Sequence, residues 1–157
     1  MKWITRAAAL ALALMMSLAL CACSNDKAEI KDTLGDFEEA CRELDLNDLL
    51  DCIDPSTASA LRTGAGLLGN LTGQSSAELL DSVVPFLFGA DYTDSAFLNS
   101  IDLEIEDIAV TDDAATAMCT VSFLFNGEPV ARDATFRLVK QGADKDADWY
   151  ITDIDFN

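Results

Sequence analysis

The stretch AMCTVSFLFNGEPVARDATF, residues 117–136, decides the fold. Ala117, Cys119, Val121, Phe123 and Phe125 take alternate positions with Thr120 and Ser122 between them, the period of a strand with one buried face. Asn126 and Gly127 follow, a pair suited to a two-residue hairpin turn because both central residues need positive φ. A turn there pairs Phe125 with Glu128, Phe123 with Val130, Val121 with Arg132, Cys119 with Ala134 and Ala117 with Phe136. The opposite face pairs Thr120 with Asp133 and Thr116 with Arg137. A slip by one residue would send every apolar side chain to the polar face, so the register is specified.

Working outward, Ile101, Leu103 and Ile105 alternate, and Ile108 with Val110 continue in the opposite phase. That change predicts a bulge near Glu106 or Asp107. After an acidic turn from Gly142 to Asp148, a last strand runs from Trp149 to Phe156. The first half of the chain has helical spacing instead. Ile30, Leu34, Phe37, Cys41 and Leu44 form one stripe. Asp45 and Asn47 offer a break and a new cap, Leu46, Leu49, Leu50 and Ile53 restart the stripe, and Asp54-Pro55 ends it. A second helical stretch spans about Thr57 to Leu71. A third begins at Ser75, whose spacing to Glu78 makes a capping box, and Pro85 kinks or closes it. The expectation is an α+β domain, with N-terminal helices packed on one face of a four-stranded antiparallel sheet.

The N-terminus has the order of an export signal: Lys2 and Arg6, an apolar run from Ala7 to Leu20, then small residues and cysteines. The run is shorter than the roughly 20 apolar residues that span a bilayer. Leu20, Cys21, Ala22 and Cys23 resemble the lipobox of bacterial lipoproteins. The resemblance implies cleavage after Ala22 and lipid on Cys23. The alternative frame would place Leu20 beside the cut, where a small residue is wanted. The organisation read from this is a signal peptide over residues 1–22, a lipidated tether over 23–28 and one domain over 29–157. It implies a cell-membrane location, lipid-anchored on the extracytoplasmic face. Two acyl chains suffice for stable anchoring, at about 0.8 kcal/mol per buried methylene.

Cleavage removes two basic residues and no acid, leaving 8 basic residues against 28 acidic ones and a net charge of −20. Such a surface repels nucleic acid and anionic headgroups. The expected partners are the membrane, through its lipid anchor, and a neutral, cationic or basic protein or small molecule; nucleic acid is excluded.

Cys41, Cys52 and Cys119 remain beyond the lipidated cysteine, an odd number that forms no complete disulfide framework. Cys41 and Cys119 fall on apolar faces and read as small buried hydrophobes. There is no histidine, and the chain past Cys23 has no CxxC, so the usual general base and a cysteine-rich zinc site are both lacking. No cofactor, metal site or catalytic residue is assigned. Gly64, Gly66 and Gly69 spell GxGxxG, but they follow a helical stretch where a dinucleotide site needs a strand. Asp144, Asp146 and Asp148 start like a calcium loop, yet Trp149 stands at the glycine position and Asp155 at that of the bidentate glutamate. Asn70, Leu71 and Thr72 form a glycosylation sequon that a bacterial envelope would usually ignore.

Phe37 to Asp54, with its Leu-Asp-Leu-Asn step, and Phe136, Leu138, Val139 and Lys140 followed by a turn and Trp149, Tyr150 and Ile151, resemble the nuclear-transport-factor-two-like superfamily. The likeness extends to its small uncharacterised bacterial lipoproteins. It covers about residues 28–156 and implies a cystatin-like cone, a curved sheet closing with its helices around a conical cavity. Members use that cavity for catalysis, ligand binding or docking, so the fold alone does not choose.

The residue that stands out is Arg132, which the hairpin register places on the apolar face. A charge there must reach solvent or find a partner. In a cone it would hold an anionic group, with Phe123 and Trp149 as walls of a ligand pocket; near the sheet's end it would extend to water or to Glu128. Two functions follow: a non-catalytic envelope lipoprotein that binds a ligand or protein, or a small cone enzyme using a buried carboxylate for acid-base chemistry. The second needs an inward acid, and Asp153 supplies one if the last strand keeps the phase of Trp149 and Ile151.

Overall fold

The structure, a computed structural model, describes residues 25–72, 76–92, 95–142 and 147–157. The lipobox with Cys23, the Ser75 start of the third helix, and Asp144 and Asp146 lie outside the described residues. Helix α1 covers residues 25–43, α2 Leu46–Asp51, α3 Pro55–Thr72 and α4 Ser76–Phe88. A 3₁₀ turn, Ser95–Ser100, leads into strands β1 (Asp102–Thr111), β2 (Ala114–Phe125), β3 (Glu128–Gln141) and β4 (Asp148–Phe156). The strands form one antiparallel meander in the order β1-β2-β3-β4.

The hairpin has the expected register throughout, from Phe125 opposite Glu128 to Thr116 opposite Arg137. Asn126 and Gly127 take φ of 54° and 82°, the positive values that such a turn demands. The bulge in β1 is at Glu106, skipped between the pairs Ile105 with Cys119 and Asp107 with Met118. It moves Ile108 onto the inner face, where it is buried.

A second bulge changes β4. Arg137 pairs with Asp153 and Leu138 with Ile151, so Thr152 is the extra residue. Trp149 and Ile151 face inward before it, and Ile154 and Phe156 pack against the core after it. Asp153 therefore points outward, against the phase read from Trp149 and Ile151, because the inserted residue reverses the alternation. Arg137 meets it there and also lies 3.8 Å from Asp155.

Helix α1 reaches back to residue 25, into the stretch read as tether. Lys140 holds this first turn, 2.7 Å from Asp26 and 3.3 Å from Glu29. Leu44 adopts a left-handed φ of 54° and ends the helix, and Asp45 caps α2 by accepting from the backbone N–H groups of Asn47 and Asp48. Asp54 does the same for α3, accepting from Thr57 N–H at 3.1 Å. Helix α4 neither stops nor starts afresh at Pro85. It runs on to Phe88, because Leu87 and Phe88 have core to bury against, which offsets the lost backbone bond. Gly64, Gly66 and Gly69 lie inside α3, away from any strand-to-helix junction.

The helices bury Ile30, Leu34, Phe37, Leu49, Val84 and their neighbours on the sheet's inner face, against Ala117, Val121, Phe136 and Leu138. Each large side chain so buried contributes about 1.5–3 kcal/mol. Aromatic rings fill the space between layers. Phe136 meets Phe37 edge-on at 5.8 Å, Phe37 reaches Phe88, and Phe88 joins Phe97, Tyr92, Phe123 and Phe156 in a continuous chain of ring contacts.

Candidate functional site

Among the described residues, the one buried polar or charged side chain is Ser95, and it is bonded to Asp81. The inner face of the sheet thus presents apolar groups to apolar helices, and the usable concavities lie at the surface. Two concern function.

The first is a cleft of about 670 Å³ between α1, α2 and the start of β4. Asp32, Asp36, Glu39 and Glu43 project from α1 and Asp48 and Asp51 from α2, since the helical repeat that buries Leu34, Phe37 and Cys41 places these acids on the other side. Cys52 also lines it. Burial, followed by the charges of Asp36, Asp51 and Asp48, pushes its thiol up to about 12. It is a protonated, weakly nucleophilic thiol at neutral pH. Cys41 is shifted upward further, chiefly by burial, and Cys119 sits at about 11 for the same reason. All three are free and buried, Cys41 and Cys119 on the apolar faces read from the sequence and Cys52 at the cleft. Despite the density of acids, no three His, Cys, Asp or Glu side chains among the described residues converge closely enough to hold a metal ion.

Trp149 lines this cleft from the strand side and is 2 % exposed. Its indole N–H is buried with no hydrogen-bond partner among the described residues. Its carbonyl accepts from Thr33 of α1 at 3.2 Å, and Lys140 Nζ lies 5.7 Å from the ring centroid. Carboxylates on both sides of Lys140, Asp26 before Glu29, hold its ammonium above the ordinary lysine range.

The second is a groove of about 560 Å³ between the C-terminal end of α4 and β4, walled by Phe86, Tyr92, Ile154 and Phe156. Arg132 stands at it. The register places Arg132 beside Val121 on the inner side of the sheet, but beyond the end of β4, where its head is exposed. It has no ion-pair or hydrogen-bond partner among the described residues, Glu128 included, whereas Arg42, Arg62 and Arg137 all carry one.

Phe123 packs on Tyr92 and Phe97, next to this groove's aromatic wall, and Trp149 belongs to the other cleft. Arg132 and Trp149 are therefore not walls of one pocket. Phe86, 65 % exposed, is a feature that the sequence reading does not single out, because it follows Pro85, where that reading kinks or closes the helix.

No protein-family model matches the chain, and no curated protein matches it. The crystal structure of an NTF-2 like protein of unknown function from Shewanella oneidensis MR-1 has the same architecture. The TM-score is 0.51 at 16 % identity, over 82 % of this chain and 95 % of that one. At that identity the likeness concerns the fold. The chain has the α+β cone expected of it, helices followed by a curved four-stranded antiparallel sheet.

Proposed function

We propose that the protein is a cell-envelope lipoprotein, acylated on Cys23 and held on the extracytoplasmic face, whose cone domain binds a protein or small-molecule partner instead of catalysing a reaction. The observation that carries the binding half is the filled interior. Side chains from Phe37 to Phe156 occupy the space where a catalytic cone would hold substrate, and Asp153 faces solvent beside Arg137. Acid-base chemistry would need a carboxylate whose pKa burial has raised. The anchoring half rests on Leu20-Cys21-Ala22-Cys23 and on charge, since a domain carrying −20 is repelled by anionic headgroups and needs lipid to stay at a membrane.

Fatty-acid labelling with membrane fractionation tests the anchor. Wild type should label and sediment with membranes, and Cys23→Ala should do neither. Persistent labelling of Cys23→Ala would sink the assignment.

A further inference from the structure

Strand β4 is an edge of the sheet, and its two halves are treated differently. The first half is covered. Ile151 N–H donates to Cys52 C=O at 2.8 Å, and Asp54 N–H donates to Ile151 C=O at 2.9 Å, forming a parallel bridge between Ile53 and Ile151. The second half is open. Asn157 N–H donates to Asp133 C=O at 2.9 Å, which fixes the antiparallel alternation. Asp153 and Asp155 direct their backbone groups at β3, while Ile154 and Phe156 direct theirs at the free edge, where no described backbone group meets them. Beside that edge runs the groove of the α4 end, with Phe86 standing 65 % exposed.

We infer that this open half of β4 docks an extended segment of a partner protein that alternates basic with apolar side chains. The inference deepens the binding reading above and rests on it. Strand addition supplies backbone bonds at Ile154 and Phe156. Side chains of the added strand alternate between the two sides of the sheet. Those turned to the groove meet the exposed ring of Phe86 and the edge of Tyr92, with Arg132 at the same groove, which favours apolar groups there and disfavours basic ones. Those turned outward lie beside Asp153 and Asp155, two carboxylates of β4 that share Arg137, with Asp133 behind them on β3, which favours Lys or Arg.

The same acids disfavour a second copy. Antiparallel pairing of two β4 edges through Ile154 and Phe156 sets either Asp153 against Asp155 or Asp155 against itself, and like charges directly opposite are destabilising. At the other sheet edge, β1, the inward residues Leu103, Ile105 and Val110 pack on the domain's own core.

The test uses the full chain in detergent micelles, a lysine–valine alternating hexapeptide and its glutamate–valine counterpart, with amide hydrogen exchange as readout. The lysine peptide should slow exchange at Ile154 and Phe156, and the glutamate peptide should not. Phe86→Ser should weaken this binding about tenfold, through lost apolar contact at a position exposed enough to leave the fold intact. Asp155→Lys should reverse the preference between the peptides. Absence of binding, or protection confined to the acidic cleft of α1 and α2, would overturn the inference. So would protection of the two amides without peptide that grows with protein concentration, which would mean self-association. These outcomes leave the anchor untouched, because fatty-acid labelling reads it separately; binding at the acidic cleft would refute the edge and still support a binding module.

Discussion

Arg137 and Asp153 face each other across the outer surface of the sheet because Thr152 takes an extra place in β4. The pair is half exposed on both sides, with side-chain exposures of 54 % and 50 %. Exposed pairs of this kind contribute about 0.2–1 kcal/mol. Asp153→Asn should therefore shift the urea midpoint only slightly. Deleting Thr152 removes the bulge and sets Asp153 directly after Ile151, so plain alternation keeps Asp153 outward and Ile154 inward, and this variant too should lose little stability, whereas in an unbulged strand the deletion would turn Ile154 and Phe156 out of the core. Urea titration of both variants separates the cases, and a large loss in Asp153→Asn would refute the outward placement.

Asp54 gives the acid limb of stability. Hydrogen bonds from Ser56, then from the Thr57 backbone, with Gln141 adding to them, hold its carboxyl at about 2 against an ordinary 3.8. A depressed folded value contributes stability that is complete above the unfolded value and is lost as pH falls through the folded one. Thermal midpoints should fall between pH 3.8 and 2, and Asp54→Asn, which keeps an acceptor at the cap, should remove that part of the fall. Asp54→Ala should cost about 1 kcal/mol at neutral pH through the lost cap.

The cysteines give the alkaline limb. Cys119 at about 11 and Cys52 at about 12 ionise above the ordinary 9.0, so the unfolded chain releases these protons first. Their stability is complete below pH 9.0 and is lost as pH rises through the folded values. The urea midpoint should drop from pH 9.0 upward, and Cys52→Ala with Cys119→Ala should flatten the drop. Native thiols should also resist iodoacetamide at pH 8 until urea unfolds the chain, at roughly the free-thiol rate thereafter.

Gly127 has open space around its α-carbon and a φ of 82°, so substitution there introduces backbone strain without a clash. Gly127→Val should destabilise by about 1–2 kcal/mol in urea titration. Full stability in this variant would mean that the turn is not the two-residue form.

The hairpin was legible because three signals agree over residues 117–136: alternation, a turn pair able to take positive φ, and matching polarity across the pairs. The Glu106 bulge was legible too, since apolar residues on both sides of it show the change of phase. Its counterpart at Thr152 was not. Only Ile154 and Phe156 follow it, and Ile-Thr-Asp-Ile reads equally well with or without an inserted residue. For the same reason plain alternation from Trp149 and Ile151 turns Asp153 inward. Arg132 was placed on the correct side of the sheet from its pairing with Val121, but its distance from Trp149 depends on where β4 ends relative to β3. The α4 groove depends on how a helix lies beside a strand far away in sequence, which local periodicity does not encode.

The grip of Lys140 on Asp26 and Glu29 has a mechanical consequence. A chain that enters its domain through a slack leader can swivel, and whatever holds the leader learns nothing of the domain's attitude. Here the first helical turn is clamped to the end of β3, so rotation of the sheet and rotation of the entry point are one motion. From Asp26 onward the helix is thus part of the domain's rigid frame, and its axis follows the tilt of β3.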